Sequence, residues 1–124
     1  MVQRADSIVY VIDDDAAVRD ALMVLLECCG MTVEGYGSIA EFTREHSPGR
    51  KACIVLDNHL PGVSGLDYLA SRSSDCDLPV IMITGRADAS TRARAERMGV
   101  LAFLEKPLSD DALLANIRVA LGQA

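Results

Sequence analysis

Five short strand-like runs alternate with segments of helical periodicity along this chain, and this alternation restricts the fold more than any other feature. The runs cover residues 8–12, 32–36, 53–56, 80–83 and 100–104. Between them, apolar residues recur at spacings of three and four, which is typical of amphipathic helices. The pattern predicts five βα units that build a parallel sheet through right-handed crossovers, with helices on both faces.

Cap and turn residues mark the ends of these elements. Gly30 ends the first helix. Ser38 and Glu41 have the spacing of a capping box that opens the second helix, and Pro48-Gly49 marks the loop after it. The later helices are indicated by Leu66 and Leu69 in the third and by the N-cap Ser109 in the last.

The fourth helix, at about residues 88–98, has the weakest apolar face of the five. Its predicted inner face consists of little more than Ala89, Ala93 and Met98. Because small side chains bury little area, we expect this helix to be loosely anchored and easily shifted.

Three acidic residues follow two of the strands directly. Asp13 and Asp14 come after the first strand and Asp57 after the third. In a parallel sheet of order 2-1-3-4-5, these two strands end at the topological switch point, where ligands bind. Two like charges about 4 Å apart repel by roughly 4 kcal/mol at an effective dielectric constant of about 20. The cluster therefore requires a cation or a raised pKa, and a hard divalent ion is the simplest answer.

Length and charge restrict the function classes. The 124 residues, half of them apolar, predict one domain over residues 1–124 with a substantial core. The net charge is −6 and basic runs are missing, so we expect no direct contact with nucleic acid. Neither a signal sequence nor a stretch of about 18 apolar residues occurs, so we expect a cytoplasmic protein without a membrane partner.

The cysteines and histidines do not form a metal or redox motif. Cys28, Cys29, Cys53 and Cys76 lack C-x-x-C spacing and are predicted to be reduced. The two histidines, His46 and His59, are isolated in the sequence, so neither side chain is assigned a catalytic role.

Four short motifs lie at strand ends in a fixed order. They are Asp13-Asp14, Asp57 followed by Leu60-Pro61-Gly62, Thr84-Gly85, and Lys106-Pro107. Together these motifs resemble the receiver domain of two-component response regulators over essentially the whole chain. Residues 83–85 and 103–107 are most similar to the FixJ subgroup. The resemblance implies a flavodoxin-like (βα)5 fold, a three-layer sandwich whose parallel sheet has the order 2-1-3-4-5.

The resemblance also implies the chemistry of the acidic cluster. Asp57 would accept a phosphoryl group from a sensor histidine kinase and form an aspartyl phosphate. Asp14 and Asp57 would bind Mg²⁺ directly, Asp13 would bind it through water, and the backbone carbonyl of His59 would complete the protein ligands. Such a domain promotes its own phosphorylation and dephosphorylation and is not an enzyme with an external substrate.

Three further residues receive roles from the same resemblance. Lys106 would contact the phosphoryl group as a cation, and Thr84 would donate its hydroxyl to it. The Lys106-Pro107 bond is a candidate cis peptide. After phosphorylation Thr84 would move and the Phe103 ring would turn inward; the alternative is that Phe103 belongs to the core at all times.

The output face predicted for such a switch is formed by the fourth helix and the fifth strand. Arginines are concentrated there at positions 86, 92, 94 and 97. They form either a solvated surface or a contact surface for a homodimer or for a C-terminal DNA-binding output domain outside this chain.

Two alternatives use related features. A haloacid-dehalogenase-like phosphatase also forms an aspartyl phosphate with Mg²⁺, but its Asp-x-Asp-x-Thr/Val motif is broken at Ala17. A degenerate receiver would only bind partners, yet Asp57, Thr84 and Lys106 are all present. Turnover of small phosphate esters would distinguish the first alternative, and phosphate incorporation the second.

Overall fold

The alternating pattern folds into a parallel sheet flanked by helices, as expected. The computed structural model describes residues 7–46, 51–72, 78–86 and 88–122. Within them, the strands are β1 (Ser7–Ile12), β2 (Val33–Tyr36), β3 (Lys51–Asp57), β4 (Val80–Thr84) and β5 (Ala102–Glu105). The helices are α1 (Ala16–Cys28), α2 (Ile39–Glu45), α3 (Gly65–Ser71), α4 (Ala89–Arg97) and α5 (Asp110–Ala120). The strand order is β2-β1-β3-β4-β5 with parallel pairing throughout, which confirms the flavodoxin-like prediction.

The two faces of the sheet build two separate cores. Because successive strand residues point to opposite faces, Tyr10 faces a cluster with Phe42 of α2, whereas Val9 and Val11 face the other side. The first cluster is covered by α2, α3 and α4, and the second by α1 and α5. All six residues of β1 are buried, which explains why the run from Ile8 to Ile12 is continuously hydrophobic.

Side-chain caps fix the starts of the helices. Asp15 caps α1 by accepting hydrogen bonds from the backbone N–H groups of Ala17 and Val18. Ser38 accepts one from Glu41 N–H, as the capping box predicts, while the Glu41 carboxylate accepts from Gly37 N–H. The N-caps of the remaining helices are Ser64, Asp88 and Ser109.

The sequence prediction was wrong about the inner face of α4 and about the start of β5. The buried residue of α4 is Ala95, whereas Ala89 is exposed and Ala93 only half-buried. Helical spacing places Ala95 on one stripe with Met98, so the inner face was assigned to the wrong alanines. Strand β5 begins at Ala102 rather than at residue 100, because Leu101, 41% exposed, belongs to the connection from α4.

The three cysteines in the described residues are free thiols, as predicted: Cys28, Cys29 and Cys53. Burial raises the pKa of Cys53 to about 12, so its thiol stays protonated and unreactive at neutral pH. Cys76 and the Pro48-Gly49 turn lie outside the described residues. No helix in the described part of the chain combines the length and apolar character needed to span a membrane.

Candidate functional site

The three predicted acids meet at the carboxyl edge of the sheet. Strands β1 and β3 are neighbours, so the residues that follow them are brought side by side. Carboxylate oxygens of Asp13, Asp14 and Asp57 all lie within 4.8 Å of one another. Asp13 is fully buried and Asp57 is 3% exposed, whereas Asp14 is exposed. The site is therefore a pair of buried acids with an open side at Asp14.

Asp13 is held on both of its carboxylate oxygens. The backbone N–H of Asp15 donates to Oδ1 at 2.9 Å, and the Lys106 ammonium donates to Oδ2 at 3.1 Å. In addition, the Arg19 guanidinium donates to the backbone carbonyl of Asp13 at 2.8 Å. Arg19 was not identified from the sequence. A cation four residues after the N-cap Asp15 is nevertheless well placed to reach back to the turn before α1.

The negative charge of Asp57 is less well compensated than that of Asp13. It accepts a hydrogen bond from the His59 backbone N–H at 3.1 Å, and its carboxylate lies 3.5 Å from the Lys106 ammonium. Burial raises the pKa of Asp57 and the charge of Asp13 raises it further, and these effects exceed the opposing ones of His59 N–H and Lys106. An ionised Asp57 is therefore destabilised in the folded protein.

Lys106 is shared between the two buried acids. It lies 93 residues from Asp13 and 49 from Asp57 in the sequence, and the end of β5 brings it to both. Partial burial alone would lower the pKa of Lys106, but the hydrogen bond with Asp13 and the nearby carboxylate charges leave it raised. The side chain is thus a cation at neutral pH. The Lys106-Pro107 bond is cis, as predicted.

The loop after Asp57 is pinned to α3 at close range. Gly65 N–H donates to the Asn58 carbonyl, and the Asn58 side chain accepts from Leu66 N–H. A Cβ atom on Gly65 would lie 3.0 Å from the Asp57 carbonyl oxygen, so a larger residue would push α3 away from the strand end. This packing fixes the backbone that carries Asp57 and the exposed His59.

Thr84 and Phe103 lie beside the acidic cluster but not in it. The Thr84 hydroxyl donates to the Arg86 carbonyl at 3.2 Å and accepts from the Arg86 N–H at 3.1 Å, so both bonds remain within its own loop. Phe103 is 8% exposed and belongs to the core under α4. The Arg92 guanidinium lies over its ring, 4.7 Å from the centroid. No pattern in the sequence predicts this contact.

The donor set of the cluster suits a hard divalent cation. Mg²⁺ favours oxygen ligands, keeps several of its waters and is typically held by one or two carboxylates. Three carboxylates with a single shared ammonium leave uncompensated negative charge at the site. The exposed position of Asp14 leaves one side of the cluster accessible to a hydrated ion.

Comparisons with known proteins agree with this geometry. The response regulator receiver domain family matches residues 9–118. The chain is 40% identical to the transcriptional regulatory protein FixJ of Azorhizobium caulinodans, over 94% of this chain and 56% of that protein. It is 38% identical to nodulation protein W of Bradyrhizobium diazoefficiens, over 92% of this chain and 51% of that protein. The chain thus spans about half the length of these curated relatives.

Solved structures give the same result at the level of the fold. The crystal structure of FixJ-N superposes with a TM-score of 0.86 at 27% identity, over 100% of this chain and 98% of that one.

Proposed function

Because the chain belongs to the response regulator receiver domain family, and within it is a FixJ-like receiver of two-component systems, we propose that Asp57 is its phosphoacceptor. Such receivers are signalling modules rather than classical enzymes. We take residues 1–124 as one receiver domain. The observation that carries the proposal is the buried Asp57 carboxylate, which shares the Lys106 ammonium with Asp13.

The proposed reaction is a phosphoryl transfer to a side-chain carboxylate. An Asp57 oxygen forms a bond to phosphorus while the bond between phosphorus and a histidine nitrogen of the donor kinase breaks. The electron pair of the broken bond stays on the histidine, and Asp57 becomes an acyl phosphate. Because there is little other covalent chemistry in this step, positioning and charge neutralisation provide most of the catalysis.

Mg²⁺ is the proposed cofactor. Asp14 and Asp57 would be direct ligands, Asp13 a ligand through water, and the His59 carbonyl a backbone ligand. When bound, the ion neutralises the charge that develops on the phosphoryl oxygens. The cluster of three carboxylates, one of them exposed, supports this assignment.

Lys106 and Thr84 have complementary proposed roles. Lys106 favours the ionised, nucleophilic form of Asp57 before the reaction and pairs with the phosphoryl group afterwards. Thr84 donates its hydroxyl to a phosphoryl oxygen once it has left its bonds to Arg86. Phe103 would then change its position, which transmits the event to α4 and β5.

A sensor histidine kinase is the proposed phosphoryl donor, and transcriptional control is the proposed output. FixJ of A. caulinodans is a transcriptional regulatory protein almost twice as long as the region matched here. We propose that the α4–β5 face either forms a homodimer or contacts a C-terminal DNA-binding domain. No contact of this chain itself with nucleic acid is needed.

A mass measurement tests the proposal directly. The protein is incubated with acetyl phosphate and Mg²⁺ and weighed intact. The wild-type chain should gain one phosphoryl group, and Asp57→Asn should gain none. Asp20→Asn removes the same charge from an exposed position of α1 and should be labelled like the wild type. Undiminished labelling of Asp57→Asn would refute the assignment.

A chelator provides the second arm of the experiment. Excess EDTA should suppress labelling of the wild-type chain, because unneutralised carboxylates repel an incoming phosphoryl group. Equal labelling with and without the chelator would refute the proposed requirement for Mg²⁺. Turnover of a small phosphate ester by the wild type would instead favour a phosphatase.

A further inference from the structure

The residues proposed to switch lie on one face of the sheet, under α4. Phe103 pairs with Met82 in the β4–β5 register, and Thr84 follows Met82 by two residues on the same strand. Since strand side chains alternate, Thr84, Met82 and Phe103 share the face covered by α4. Movement of either Thr84 or Phe103 therefore takes place directly beneath this helix.

The apolar anchoring of α4 is small. Ala95 is its one buried residue, and an alanine side chain contributes little apolar area. Met98, just after the helix, is only partly buried against the core. A side-chain contact between α4 and β5 therefore adds to a small apolar anchor.

Arg92 makes such a contact. Its guanidinium carbon lies 4.7 Å from the centroid of the Phe103 ring, well within the range of about 6 Å for cation–π attraction. The Arg92 side chain itself is exposed, whereas the ring is 8% exposed, so the arginine covers the solvent side of the ring. The ring can turn only if it leaves the guanidinium or takes the arginine with it.

This contact coexists with a particular arrangement of Thr84. In the same structure the Thr84 hydroxyl is satisfied by the Arg86 backbone and is not directed to the acids. We propose that Arg92 is a positioning residue of the switch, whose contact with Phe103 stabilises this arrangement and is lost when Asp57 is phosphorylated. The inference rests on the proposed function of Asp57. It assigns to Arg92 an effect on the equilibrium between the two arrangements of Thr84 and Phe103.

The size of the effect follows from the strength of the contact. At exposed sites a cation–π pair changes an equilibrium by roughly two- to fivefold. If the contact exists only in the arrangement seen here, its removal should raise the population of the other arrangement by that factor. The apparent affinity of any activator that binds the other arrangement rises equally.

The two phenylalanines of the chain provide a specific probe. Phe42 and Phe103 are the only ones, so labelling phenylalanine rings with ¹³C gives two sets of signals, and Phe103→Leu identifies them. Beryllofluoride with Mg²⁺, standing in for the phosphoryl group at Asp57, is titrated while the Phe103 signal is followed. Arg92→Gln should reach half-conversion at a beryllofluoride concentration roughly two to five times lower than the wild type.

Two matched variants separate the contact from the charge. Arg92→Lys keeps a cation but not the planar guanidinium, and should lie between the wild type and Arg92→Gln. Arg97→Gln removes an exposed arginine from the same helix and should titrate like the wild type. Arg92→Gln should also speed labelling by acetyl phosphate, and in a Phe103→Leu background it should no longer do so.

Each result either supports the inference or overturns it. It is overturned if Arg92→Gln titrates like the wild type, needs more beryllofluoride, or retains its full effect without the Phe103 ring. A lower urea midpoint with an unchanged titration would reduce Arg92 to a structural residue and also overturn it. If the wild type incorporates phosphate and Arg92→Gln has the same beryllofluoride titration as the wild type, only this inference is rejected. A wild-type chain that neither incorporates phosphate nor responds rejects the proposed function, and the inference falls with it.

Discussion

Replacing Asp57 with asparagine should stabilise the metal-free protein although it removes the proposed phosphoacceptor. The carboxylate is 3% exposed and lies among two other acids and one lysine. Asparagine keeps the shape and one oxygen that can accept from His59 N–H, while its amide nitrogen replaces the oxygen that lies 3.5 Å from Lys106. The substitution therefore removes one charge and its long contact with Lys106, with little change in packing.

The Coulomb effects on Asp57 nearly cancel. At an effective dielectric constant of about 20, buried Asp13, within 4.8 Å, repels Asp57 by roughly 3.5 kcal/mol, and Lys106 at 3.5 Å attracts it by roughly 4.7 kcal/mol. Exposed Asp14 is screened by water and adds roughly 0.9 kcal/mol of repulsion. The cost of burying the Asp57 charge then determines whether the ionised group stabilises or destabilises the fold. The raised pKa of Asp57 indicates that it destabilises the fold. We expect a gain on the order of 1–2 kcal/mol in the free energy of unfolding.

The gain should depend on pH in a defined direction. A raised pKa means that folded Asp57 holds its proton more tightly than the unfolded chain does. Its stabilising contribution is complete below the unfolded value of about 3.9 and is lost as the pH rises through the folded value. Asparagine does not titrate, so the variant should match the wild type in acid and exceed it increasingly toward neutral pH.

Urea unfolding in EDTA, repeated between about pH 4 and 8, measures this difference. At neutral pH the melting temperature of the variant should be higher by about 3–8 °C. Saturating Mg²⁺ should reduce or reverse the difference in stability between the variant and the wild type. The wild type keeps one more carboxylate ligand, so Mg²⁺ binding stabilises it more. Asp20→Asn serves as the control for a charge lost from an exposed site. A less stable Asp57→Asn variant, or a pH-independent difference, would refute the reasoning.

Two further predictions concern the cation and the output face. Asp14→Asn should weaken Mg²⁺ binding at least about tenfold, whereas Asp15→Asn should change it little, since asparagine also caps helices well; equal affinities by calorimetry would contradict this division. Arg94→Glu should weaken self-association of the beryllofluoride-treated protein without changing acetyl phosphate labelling, because this exposed arginine lies on the proposed contact face. If light scattering shows that the activated wild type remains a monomer, the proposed homodimer is refuted.

Much of the site could be predicted because sheet topology alone brings its members together. Asp13 and Lys106 are 93 residues apart, yet each follows a strand of one parallel sheet, and all such strands end at the same edge. The apolar runs also place β1 and β3 correctly, because a strand buried on both faces has a strong sequence pattern.

What could not be predicted depends on the rotation of weakly patterned elements. Helix α4 contains three alanines, at positions 89, 93 and 95, and alanines of equal size do not indicate which one faces the core. The contact between Arg92 and Phe103 depends on that rotation and on side-chain rotamers. The hydrogen bonds of the Thr84 hydroxyl with the Arg86 backbone likewise depend on a loop conformation that a sequence pattern does not predict.

The charge balance of the site explains why Thr84 is the residue expected to move. The three carboxylates and the Lys106 ammonium, without the Arg19 guanidinium that binds the Asp13 backbone, sum to a charge of −2, which one divalent cation would cancel. Phosphorylation removes the charge of Asp57 and adds a group of roughly −1.5 to −2, so the neutralised cluster becomes negative by roughly half to one charge. Lys106 is already committed to this cluster, whereas the Thr84 hydroxyl is bonded only to its own loop in the structure. The new acceptor oxygens would therefore compete with the Arg86 carbonyl for the Thr84 proton. Thr84 lies on the same face of the sheet as Phe103, whose ring contacts Arg92 of α4.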